Sequence, residues 1–312
     1  MSTGFALPER LRELQVTFSL AFQNALAAPR RDLFSAARTN VGSNARENVY
    51  GFSSLSPDMN EWTSDRKAEG QEGFEYRLTN RKFEKTLKVL RDDIDDDTLQ
   101  IYSSKIDNLA SAYAYNVDTL TIAAMQSTTQ LCFDGLSFFN ASHFANPKKL
   151  AGAFSNLRTL ALTTANFDTA LEDMMSFVDT DGAPADIIPT HLFVPPQLRK
   201  QALRIVGAGL QAEEISSTVQ TTTHVASENV NAGVVQVVVV PRLANQATTW
   251  YLADLSKSIK PMIYQLRDPL EMSSFTDPSS PAVFYADEYL FGTRCRHAVG
   301  YSYPQLMLRS TP

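Results

Sequence analysis

Two cysteines, four histidines and two tryptophans are all that 312 residues supply of the side chains most often used for disulfides, metals and base stacking. Cys132 and Cys295 cannot make a disulfide framework, and a reducing compartment suits such a chain. His143, His191, His224 and His297 show no metal-ligand spacing. No Walker-type loop and no G-x-G-x-x-G is present, so the common phosphate-cradling loops are excluded. Positive charge is also short: the formal net charge is −6, and no global basic field exists to hold nucleic acid. Long apolar runs are missing too. The longest, "VVQVVVV" from Val234 to Val240, is strand-sized and closed by Pro241, well short of the roughly 20 residues that span a bilayer. The opening "MSTGFALPERLRELQ" lacks the basic-then-apolar pattern of a secretion signal. These absences lead to the expectation of a soluble protein with no membrane partner and no cofactor.

What is present is a globular composition, 44% hydrophobic and 20% charged, in a chain long enough for one large domain or two ordinary ones. Leu11, Leu14, Phe18, Phe22 and Leu26 recur at helical spacing over residues 8–28. A polar Ser-, Asn- and Gly-rich stretch follows and reads as an extended arm. Residues 73–89 alternate in strand fashion with Arg and Lys interleaved, which predicts a long hairpin whose other arm lies near "ENVYGFSSL". Leu99, Tyr102, Ile106, Leu109, Tyr113, Val117, Leu120 and Ala124 then form one helical stripe of about seven turns, a spine. A second helix is predicted around Phe167, Ala170, Leu171, Met174, Met175 and Val178, capped by Thr164 or Asn166. "HLFVPP" reads as a buried strand, "QLRKQALRIV" as a helix and residues 211–231 as a polar surface loop. Four strand-like runs close the sequence. The class is α+β, without regular βαβ alternation.

Three constellations invite a chemical reading. Asp92, Asp93, Asp95, Asp96 and Asp97 offer hard oxygen ligands, yet a calcium loop needs a glycine at its turn and a terminal bidentate Glu, and both are missing. Acids clustered where a helix begins face the positive end of its dipole, so Asp96, Asp97 and Thr98 are assigned as caps of the spine helix. Cys132, Asp134 and His143 lie close together and define a candidate cysteine hydrolase. No nucleophile elbow accompanies them, and a buried small apolar Cys132 is the better reading. Arg77, Arg81, Lys82, Phe83, Glu84 and Lys85 mix charges of both signs, which favours pairing with a neighbouring subunit over phosphate binding. Catalytic and metal sites are therefore not expected. An arm, a projecting hairpin and a spine helix are hard to stabilise in one monomer and suggest a protein that assembles.

Several segments carry a resemblance. Glu61–Trp62 and Arg66, then "NRKFEKTLKVLRDDIDDDTLQIY", "CFDGLSFFNASH", "KPMIYQLRDP" and "ADEYLFGTRCRHAVGYSYPQL", resemble the major head subunit of Mu-like phages and prophages. The likeness covers residues 47–145 and 250–308, and Gln100 departs from the usual glycine. It implies a Hong Kong 97-type capsid fold: an N-terminal arm (1–46), an extended loop (47–91), a peripheral domain (92–150 and 256–312) and an axial domain (151–255). It also implies hexamers and pentamers closing an icosahedral shell around double-stranded DNA in a virion assembled in the host cytoplasm. Portal, scaffold or decoration proteins would be the partners, and an acidic wall would contact DNA only weakly. An encapsulin-like nanocompartment is the alternative within the fold.

Overall fold

The computed structural model of the chain describes residues 34–53, 55, 73–90, 92, 99–207, 210–215, 223–277 and 280–312, with 16, 20 and 22–24 near its start. Most of the helix expected over 8–28 lies outside the described residues, as do Asp96, Asp97 and Thr98.

The spine is α1 (Leu99–Gln126), whose 28 residues give a rod about 42 Å long. Leu109, Val117 and Ala124 of the expected stripe are buried, and Tyr113 and Leu120 pack beside them. Against α1 lies a four-stranded sheet in the order β1 (Arg38–Gly42), β13 (Met262–Phe275), β14 (Glu288–Tyr301), β4 (Arg81–Leu90). β1 runs parallel to β13, and the other pairs are antiparallel. Along β14, Tyr289, Phe291, Thr293, Cys295 and His297 are buried while Arg294 on the opposite face is exposed. From His297 to Tyr301 every residue is buried, so the strand passes from a sheet wet on one face to one covered on both. The β13–β14 register slips between Leu266 and Glu271, where Pro269 has no N–H to give the ladder.

A five-stranded sheet has the order β11 (Gln236–Val239), β8 (His191–Val194), β12 (Trp250–Ala253), β15 (Met307–Ser310), β7 (Leu157–Arg158). All four residues of β12 and all four of β15 are buried, as the unbroken apolar run "WYLA" requires of a central strand. Trp250 is fully buried and its Nε1 donates to the Leu160 carbonyl at 2.9 Å. Three two-stranded ladders complete the chain: β2 (Glu47–Phe52) with β3 (Phe74–Thr79), β5 (His143–Asn146) with β6 (Ala151–Phe154), and β9 (Leu210–Ile215) with β10 (Thr223–Glu228). The last of these corrects the polar loop expected over 211–231, since His224, Val225 and Ala226 pair with Glu214, Glu213 and Ala212.

α2 (Thr164–Met175) is capped by Thr163, not by Thr164 or Asn166. Thr163 has the extended backbone of a cap, and its hydroxyl accepts from the Asn166 N–H three residues on at 3.2 Å. "QLRKQALRIV" is helical in three short pieces: a 3₁₀ turn at Pro196–Leu198, α3 (Arg199–Ala202) and a π-turn at Leu203–Gly207. A last short helix, α4 (Pro281–Ala286), links β13 to β14 and ends at Asp287 in the left-handed region.

Candidate assembly surfaces

The expected hairpin divides at Asn80. β2 and β3 pair in full register from Glu47↔Thr79 to Phe52↔Phe74, but Arg81–Leu90 turns away and pairs with β14 over ten residues. β3 alternates strictly, Phe74, Tyr76 and Leu78 inward and Glu75, Arg77 and Thr79 outward. Asn80 is the joint. Its amide nitrogen donates to Ser43 Oγ at 2.8 Å and the Ala45 carbonyl at 2.9 Å, and its oxygen accepts from Gln265 Nε2 at 2.7 Å. Gln265 in turn accepts from the Tyr50 hydroxyl at 2.6 Å. Hairpin, arm and sheet are thus held by one buried amide pair, which sequence reasoning passed over; an Asn set between two alternating runs was its one visible sign.

The six residues expected at a subunit contact lie as follows. Arg77 is exposed, 3.6 Å from Glu75, a weak surface pair. Arg81 places its guanidinium 5.4 Å from the centre of the Phe83 ring. Lys82 and Lys85 are exposed and form no ion pair among the described residues; exposed Glu84 accepts from Thr86 Oγ1 at 3.0 Å. Phe83 is turned inward, half-buried, and stacks on His297 of its own chain at 4.6 Å. β4 is the outer strand of its sheet, and its charges stand along that edge.

Beneath β4, His297 is fully buried among Phe83, Tyr113 and Tyr264. Its Nε2 meets Asn116 Oδ1 of the spine at 2.8 Å, while Nδ1 has no hydrogen-bond partner among the described residues. Burial, and secondarily the charge of Arg81, lowers its pKa from 6.5 to about 4, so the ring is neutral at pH 7. At the other edge Arg38 ties the arm to the spine, 3.1 Å from Thr121 Oγ1 and 3.5 Å from Asp118.

Of Cys132, Asp134 and His143, the aspartate and the histidine come together, in a structural arrangement. Cys132 is buried, its thiol points at the Ser302 carbonyl at 3.4 Å, and burial raises its pKa, which disfavours the nucleophilic thiolate. His143 has both ring nitrogens engaged elsewhere: Nδ1 with Asp134 Oδ2 at 2.5 Å and Nε2 with the Phe138 carbonyl at 3.1 Å. Asp134 Oδ1 also accepts from the Leu136 N–H at 3.0 Å, and Gly135 between them has φ +79°. The "CFDG" turn is therefore fastened by its own aspartate and histidine, with no imidazole on the sulfur.

A profile of the Mu-like prophage major head subunit gpT family matches residues 11–159, 153–243 and 222–312. The chain belongs to this family. A Mu-like prophage FluMu major head subunit from Haemophilus influenzae is 25% identical over 303 residues, covering 96% of this chain and 72% of that protein. The major capsid protein of Escherichia phage Mu is 23% identical with the same coverage. Among solved structures, a chain of the bacteriophage JBD30 procapsid superposes with a TM-score of 0.57 at 24% identity, covering 99% of this chain and 76% of that one. A Microbacterium phage Oxtober96 chain gives 0.54 at 12% identity, covering 91% and 93%. The fold is accordingly the Hong Kong 97-type α+β capsid fold, and the broad role that of a major capsid subunit of a Mu-like head. The family match favours that role over both the nanocompartment and the hydrolase.

Proposed function

We propose that this chain assembles, without enzymatic activity, into hexamers and pentamers that close an icosahedral shell around double-stranded DNA in the host cytoplasm. The observation that carries the reading is the family match along nearly the whole chain. The buried, hydrogen-bonded Cys132 and His143 agree with a structural role. With a net charge of −6 the wall holds DNA loosely, and portal, scaffold and decoration proteins complete the particle. The arm, extended loop, peripheral and axial divisions expected from the sequence are the working domains. Exposed Arg77, Lys82 and Lys85 face carboxylates of a neighbouring copy, and Asp96, Asp97 and Thr98 cap the spine.

Negative-stain electron microscopy of the purified chain tests the reading. Shells or capsomers are expected, and a persistent monomer at high concentration would overturn it. Deleting residues 68–73 is expected to lower shell yield; normal shells would remove the neighbour contact of the extended loop. A calcium titration should give no site-specific isotherm at Asp92–Asp97.

A further inference from the structure

The five-stranded sheet ends on one side in β11, and no described strand pairs with its outer edge. From Asn229 to Val240 the chain holds no charged residue. Large aliphatic side chains stand in water along this side: Val230 is 83% exposed, Ile188 61%, Val234 46% and Leu203 39%. Hydrogen bonds draw them to one rim. Gly233 N–H donates to the Val206 carbonyl at 2.8 Å, Asn229 Nδ2 to the Ile205 carbonyl at 2.8 Å, and Gln236 N–H to the Thr190 carbonyl at 2.8 Å. Ile188 precedes β8 at the end of the sheet from which the 229–234 loop enters β11, since His191 pairs with Gln236, and its N–H donates to Asp254 Oδ2 on the β12 side at 3.1 Å. Exposed Asp186 and Arg204 border the strip, an apolar centre with a polar margin.

We infer that this uncharged edge, from Ile188 and the 229–234 loop along β11, is a docking surface for a second copy of the same chain. The inference rests on the shell-forming role and specifies which surface makes the contact. Charge selects the occupant. Two copies at −6 each repel, and they approach with least cost where neither presents charge. Exposed aliphatic patches with an open strand edge mark sites of association, and this edge has none of the lysines or bulges that blunt such strands. A ring of five or six copies needs a heterologous contact, so the edge meets a different surface of the next copy.

The test introduces one charge at a time: Val230→Asp and Ile188→Asp on the edge, and Met175→Asp at the exposed end of α2 as a control of equal charge. Wild type and control are expected to form shells. The edge variants are expected to keep the wild-type melting temperature and lose at least about tenfold in capsomer and shell yield by sedimentation velocity, a factor near 1.4 kcal/mol per contact. Val230→Ser, which adds no charge, should lower yield in the same direction but less. Edge variants that assemble like wild type, or a control that fails as badly as they do, would overturn the inference. Absence of wild-type shells would instead count against the shell-forming role itself.

Discussion

Two outer strands of the described sheets, β4 and β11, are finished in opposite ways. β4 carries five charged side chains among its ten residues, whereas β11 carries none. Each borders a sheet with a buried face, so the difference does not come from the core. An edge lined with Lys, Arg and Glu resists strand addition, because a partner strand would have to bury or pair those charges. An edge of valines offers no such resistance. One protein can thus refuse strand addition on one side, where its lysines still meet a neighbour's carboxylates, and permit apolar docking on another, and the sign and density of charge decide which.

Five changes break or sharpen that contrast. The largest effect is expected behind the bare edge. Trp250→Ala removes a fully buried indole two strands from β11 and its hydrogen bond to Leu160, at a cost of about 3–5 kcal/mol in chemical denaturation. Phe83→Ala, half-buried behind the charged edge, should cost clearly less. Next comes pH. The folded His297 pKa lies below its ordinary value, so an unfolded chain takes up the proton first as pH falls. The stability it contributes is complete above pH 6.5 and is lost progressively towards pH 4, about 2–3 kcal/mol in all. His297→Gln should flatten that part of the wild-type melting-temperature profile, and an unchanged slope would show that the β4 side is not acid-sensitive through this ring.

Gly300→Ala is expected to cost about 1–3 kcal/mol by overpacking. A Cβ there would lie 2.7 Å from the Tyr76 hydroxyl and 3.0 Å from Leu78, where the hairpin meets β14. The smallest change in stability belongs to the charged edge itself. Lys82→Thr with Lys85→Thr should alter unfolding by no more than about 0.5 kcal/mol, since both are exposed. Light scattering should nevertheless show irregular aggregation of the folded double variant, because the edge has lost its guard.

Local pattern made the long elements legible. The α1 stripe and the β3 alternation are statements about one face of one element, and a periodicity can carry them. The joint at Asn80 could not be read so easily, because its meaning lies in Gln265, 185 residues away. The hairpin over 73–89 was right in conformation and incomplete in pairing. Alternation says that Arg81–Leu90 is a strand, but the choice between β2 and β14 as its partner is made by contacts distant in sequence. The cap of α2 was missed by one or three residues, as is natural where several neighbouring positions offer a capping side chain. Asp134 and His143 show the reverse case: proximity in sequence was real proximity in space, and the bonding, not the distance, decided its meaning.

β14 and β15 lie late in the chain, yet they pair with β4, β13, β12 and β7, and every residue from His297 to Ser310 is buried. A ribosome therefore makes every strand from β1 to β13 before either main sheet can close. While synthesis continues, the sheet behind β11 lacks β15, which joins β12 to β7, so the edge has no finished layer to stand on. Copies emerging side by side on one messenger would meet as incomplete chains, and the order of translation itself delays their association until each has folded.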